Sequence, residues 1–149
     1  MLVNVLESLR AIGDEATASE VSARALDLPP AHGQHLLHLW LAADKACRGD
    51  VAAAEEHLAA AGSSSVDTDY AFLRTLTEGM LEVAKTPPAD RPRVFPAVRR
   101  RIDALRMHYA AYSREPARRQ VYRRCLARLA ADRGGLVAFL WRWLRWLNS

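Results

Sequence analysis

Long apolar runs are missing from this chain of 149 residues. The longest, Leu136 to Trp141, has six residues and is far too short to cross a bilayer. No basic stretch leads into an apolar segment at the N-terminus, so no secretory signal is expected and the cytoplasm is the expected compartment. Glycine and proline number only 7 each, which excludes collagen-like and low-complexity classes. Strand signals are lacking as well: no four-residue stretch rich in Val, Ile and Thr alternates with period two. Cysteine is scarce. Cys47 and Cys125 stand far apart in helix-patterned surroundings, without a CxxC knuckle or a disulfide framework, and read as two small buried thiols. Motifs of catalysis are also missing: there is no G-x-S-x-G, no phosphate-cradling glycine loop and no HExxH. The sequence therefore offers no argument for an enzyme and calls for no cofactor.

What is present begins with charge. The net charge of +4 hides a split, because residues 1–88 carry 6 Lys+Arg against 13 Asp+Glu, while residues 89–149 carry 15 Arg, no Lys and 4 Asp+Glu. The halves are thus −7 and +11, which sum to +4. A basic C-terminal half could attract nucleic acid, an acidic protein or an anionic surface, or be a solvated helical face. Opposite signs on the two halves also permit head-to-tail self-association.

Half the residues are apolar, and their spacing is helical nearly throughout. Breakers recur at Gly13-Asp14, Pro29-Pro30, Gly49-Asp50, Gly62 with Ser63 to Ser65, Pro87-Pro88, Pro116 and Gly134-Gly135. Between them helices are predicted at about 2–12, 15–28, 34–48, 51–61, 68–85, 94–114, 117–132 and 136–147. Asp14 and Asp50 suit the N-cap, and Gly49 and Gly62 suit the left-handed position after a helix end. Pro96 falls in the first turn of the helix predicted from 94, where its missing N–H costs little.

The chain also resembles itself. GDEATASEVSARA at 13–25 aligns with GDVAAAEEHLAAA at 49–61, a shift of 36 residues. Seven positions match, and the shared Gly-Asp turn is the informative part because four of the matches are alanine. The stretches GDEATASEVSARALDLPP and RGDVAAAEEHLAAAG resemble the turn and second helix of a tetratricopeptide repeat. Ala18 and Ala25, then Ala54 and Ala61, stand at that family's paired small positions, with Pro30 near the end of the first unit. Ala97 and Ala104 take the same places in a third unit over 68–112. Small residues there let neighbouring helices approach closely.

The resemblance implies an all-α fold, a right-handed α-α superhelix of about three hairpins, as one domain over 1–149. Hairpins are expected at 1–30, 34–62 and 68–112, with a basic helix and a Trp-rich capping helix over 117–149. A plain helical bundle is the alternative. The resemblance also implies a scaffold or adaptor that binds a protein or peptide segment. By position its groove would be lined by Asn4, Glu7 and Arg10 from the first unit and Leu39, Trp40 and Ala43 from the second.

The other constellations are weaker. His32, His35 and His38 stand at i, i+3 and i+6, with His57 in the next helix, but rotation fans the third ring away by about 120°. No thiol or carboxylate completes a set, so helix-surface or hairpin-packing histidines are expected and no metal. Glu55 with Glu56, and Glu78 with Glu82, read as solvated carboxylates. Arg99 and Arg100, then Arg119, Arg123, Arg124 and Arg128, form basic faces able to follow phosphates, the basis of a competing nucleic-acid reading. On 117–132, Val121, Tyr122, Cys125, Leu126 and Leu129 form the opposite, core-facing stripe. Finally, LVAFLWRWLRWLNS sets Trp141, Trp143 and Trp146 among leucines on a helix too apolar to stand free. Three uses are open: sealing the core, a homo-oligomer or partner contact, and interfacial membrane binding.

Overall fold

The computed structural model describes residues 6, 9, 12–27, 34–62, 68–105 and 116–132. Six helices lie within them: α1 (Glu15–Leu26), α2 (Gln34–Arg48), α3 (Val51–Ala60), α4 (Thr68–Lys85), α5 (Arg91–Ala104) and α6 (Pro116–Asp132). There is no strand among the described residues. The helices predicted at 2–12 and 136–147 lie outside them, apart from Leu6 and Leu9, which are helical.

The two Gly-Asp turns adopt one geometry. Gly13 has φ +84° and Gly49 +83°, values that a side chain rarely tolerates. In each turn the aspartate N–H donates five residues back, Asp14 to the Leu9 carbonyl and Asp50 to the Lys45 carbonyl, both at 3.0 Å. Each aspartate then turns its carboxylate forward as an N-cap, accepting from Thr17 N at 3.1 Å and from Ala53 N at 3.3 Å. The same residue pair opens α1 and α3 alike, at the spacing of the sequence repeat.

Neighbours in sequence are neighbours in space from α1 to α5, α2 also touches α4, and α6 returns across both α2 and α4. Hence α2 is surrounded. Six consecutive residues, Leu39 to Asp44, are buried, so the middle of α2 is enclosed on every side, and all of them but Asp44 are apolar. Alanines at 42, 43 and 46 keep α2 thin enough for its four neighbours. The main core joins Trp40, Phe72, Leu73, Leu76, Met80, Val98, Ile102, Val121, Cys125, Leu126 and Leu129. A smaller cluster of Leu6, Ala25 and Leu37, with Leu9, Val21 and Leu26 against it, joins the N-terminal residues and α1 to α2.

Ala18, Ala25, Ala54 and Ala61 are all buried. The third pair needs correction: Ala97 and Ala104 are exposed, and Val98 and Ile102 face the core instead. Close approach between α4 and α5 comes from Gly79, where an added Cβ would lie 2.7 Å from Val98 Cγ1. Helix α5 also starts earlier than predicted, at Arg91, because Pro92 in its first turn gives up no needed hydrogen bond. Pro96 therefore lies inside the helix, past the first turn where it was expected.

Candidate functional site

Three arrangements of polar side chains stand out. The first is the seam between α2 and α6. Trp40, Asp44 and Cys47 fall at i, i+4 and i+7 on α2 and share one face. From α6, Arg124 Nη2 donates to Asp44 Oδ1 at 3.1 Å. Arg48 Nη2 lies 3.0 Å from Asp44 Oδ2, and Ser19 Oγ of α1 donates to that same oxygen at 3.3 Å. The Asp44 side chain is 5% exposed, so this carboxylate is a buried junction of three helices, its charge met by two guanidinium groups. The Arg128 guanidinium lies over Gly49, where an added Cβ would meet Nη2 at 3.1 Å.

Within the same seam Cys47 and Cys125 bring their Sγ atoms to 3.4 Å, and both are free thiols. Cys125 is fully buried and Cys47 half-buried. The hydrogen bond from Cys125 holds the Cys47 thiol below its ordinary pKa, against burial and Asp44, and Arg124 and Arg128 act in the same direction as that bond. The same bond, then burial, pushes Cys125 well above its ordinary value.

The second arrangement is an open cleft of about 690 Å³ between α3 and α4. Glu55, Leu58 and Ala59 of α3 face Glu78, Leu81, Glu82 and Lys85 of α4, with Thr86 and Pro87 at one end. Helical spacing aligns each set (i, i+3, i+4), so the apolar floor and the carboxylate rim follow from register. Lys85 pairs with Glu55, Arg101 of α5 with Glu82, and Arg74 with Glu78. These carboxylates thus border apolar surface, which the sequence did not reveal.

The third is the His38–His57 pair, with Nδ1 atoms 3.2 Å apart across the α2–α3 hairpin. One Nδ1 must carry a proton and the other accept it. Burial lowers the His38 pKa and His57 adds to this, against a raising influence from Glu56. No group of three or more His, Cys, Asp and Glu side chains is arranged to hold a metal ion among the described residues.

The groove residues of the second unit are not a surface. Leu39, Trp40 and Ala43 are 3%, 1% and 0% exposed, a correction with a clear cause: α2 is enclosed by its neighbours and α6 lies across the α2–α4 side. Asn4, Glu7 and Arg10 lie outside the described residues, as do Trp141, Trp143, Trp146 and the Arg119 side chain. The remaining arginines do not form one basic face. Arg124 points inward to Asp44, Arg128 is half-buried over Gly49, and Arg99 pairs with Asp103 at 3.2 Å. Arg100 and Arg123 are exposed. Of the apolar stripe of α6, Val121, Cys125, Leu126 and Leu129 are buried, and the Tyr122 side chain lies outside the described residues. No described helix is long and apolar enough to cross a membrane.

Compared with known proteins, the sequence matches no family model, no curated protein and no solved structure.

Proposed function

We propose that the chain is a non-catalytic scaffold of tetratricopeptide-repeat type that binds a protein segment, and that the segment lies in the α3–α4 cleft. Two equivalent Gly-Asp turns, each followed by two buried alanines, Ala18 and Ala25 in α1 and Ala54 of α3 with its C-cap Ala61, support the repeat reading. The observation that carries the binding reading is the cleft itself. Leu58, Ala59 and Leu81 offer an apolar floor for one anchoring side chain, and Glu55, Glu78 and Glu82 form the rim. The rim's ion pairs are largely exposed and individually worth about 0–1 kcal/mol, so a partner's lysine or arginine can replace the internal cation at little cost. The fitting segment is a short helix or strand with one large apolar residue flanked by basic ones.

The test is selection of displayed peptides on the full chain, with binding mapped by amide hydrogen exchange. Selected peptides should combine an aromatic or aliphatic anchor with Lys or Arg and protect α3 and α4. The double variant Glu55→Lys, Glu78→Lys should weaken them about tenfold or more. Binders indifferent to that change would refute the cleft. Salt-sensitive binding of an oligonucleotide, abolished by Arg99, Arg100 and Arg123→Ala, would replace the reading with nucleic-acid recognition.

A further inference from the structure

We propose that Cys47 and Cys125 form a redox-responsive dithiol site that reacts with a low-molecular-weight disulfide and closes into an intramolecular bond joining α2 to α6. The geometry carries this. The sulfurs are 3.4 Å apart and a disulfide needs about 2.05 Å, so closing the gap takes a shift of roughly 1.4 Å. The two thiols have unequal access. Cys47 is half-buried, whereas Cys125 is shut inside the core. Guanidinium groups of Arg124 and Arg128 act on Cys47, and its bond to Cys125 favours its thiolate, the form that attacks disulfides.

The chemistry divides between them accordingly. The Cys47 thiolate attacks one sulfur of the small disulfide, whose S–S bond breaks and releases one thiolate. Cys125 then loses its proton and attacks Cys47 Sγ of the mixed disulfide, expelling the second small thiolate. Two electrons pass from the cysteine pair to the small disulfide, and the two protons end on the two small thiols released. Cys47 is the attacking group and Cys125 the resolving one. The product ties α6 to the α2–α4 side that it covers, beside the Arg124–Asp44 ion pair that already holds it there.

The experiment exposes the reduced full chain to oxidised glutathione and reads intact mass, thiol count and thermal unfolding. The wild type should lose both thiols together, form no cross-link between chains, and end lighter by two hydrogens without an adduct. Its melting temperature should rise by about 5–10 °C. Cys125→Ser should accumulate a glutathione adduct on Cys47, and Cys47→Ser should stay unreacted. A lasting adduct on the wild type, a cross-linked dimer as the only oxidised product, or both thiols intact under conditions that oxidise the urea-unfolded chain would each overturn the proposal. So would an internal disulfide that leaves the melting temperature unchanged or lowers it. None of these wild-type readings depends on a variant folding.

Discussion

Replacing Gly79 by alanine sets two effects of opposite sign against each other. Gly79 lies inside α4, where alanine is the better helix former by about 1 kcal/mol. Its new methyl, however, would stand 2.7 Å from Val98 Cγ1 and 3.6 Å from Ile102 Cδ1 of α5. Carbon atoms are at ease at about 3.5–4.0 Å, so α4 and α5 would have to part by about 1 Å. Val98 cannot swing aside cheaply, because a β-branched side chain on a helix has essentially one χ1 rotamer, and it is fully buried. Overpacking of this kind costs about 1–3 kcal/mol. The clash should therefore outweigh propensity, leaving Gly79→Ala less stable by about 1 kcal/mol. Urea unfolding followed by circular dichroism measures this directly. Adding Val98→Ala removes the obstructing methyl groups, so the double variant should be more stable than the sum of the singles by about 1 kcal/mol or more. A Gly79→Ala protein more stable than wild type, with an unchanged urea dependence, would mean that α4 and α5 do not meet at this point. Coupling within about 0.3 kcal/mol of zero would say the same.

Two further outcomes test the other arrangements. Because the His38 pKa is lowered in the folded chain, unfolded chains bind more protons below about pH 6.5, so the neutral ring's contribution to stability is intact above that pH and is lost as pH falls through the folded value. Urea midpoints should accordingly fall between about pH 7.5 and 5, and His38→Gln should flatten that slope; an unaltered slope in the variant would remove His38 as its source. Asp44→Ala strips the buried partner from Arg124 and Arg48 and should cost about 2 kcal/mol, discounted from the 3–5 of fully buried pairs because both arginines reach water. An effect under about 0.5 kcal/mol in urea unfolding would mean that the carboxylate does not join α6 to α2.

Short-range devices are legible in the sequence, and the turns show why. Glycine at positive φ followed by a capping aspartate is complete within a few residues, so the pair Gly49-Asp50 marks its own turn. The bounds of α2 and α4 follow for the same reason, from helical periodicity between breakers. Features made by distant residues carry no such mark. Cys47 and Cys125 meet across 78 positions, and neither has a local sign of the other. Gly79 sits in a regular helix and gains its meaning only from Val98 on the next one. Leu39, Trp40 and Ala43 occupy the positions of a groove by alignment, yet they are buried because a later helix returns over the α2–α4 side.

That return also alters how the charge split should be understood. A half at −7 and a half at +11 suggest attraction to something outside the chain. Two of the contacts that fasten the basic half to the acidic half are ion pairs within the fold, Arg124 with Asp44 and Arg101 with Glu82. Of these, the Asp44 pair matters more to the architecture, because a buried carboxylate left alone is costly while an exposed one is not. Asp44 thus helps to hold α6 where it lies: a register that moved Arg124 away would leave the buried carboxylate with only Arg48 and Ser19. It would also part Cys47 from Cys125, whose place beside Arg124 on α6 makes the thiol contact a consequence of the same register. The covered α2–α4 side, the thiol pair and part of the charge asymmetry are in this sense one feature, and the open cleft between α3 and α4 lies outside it.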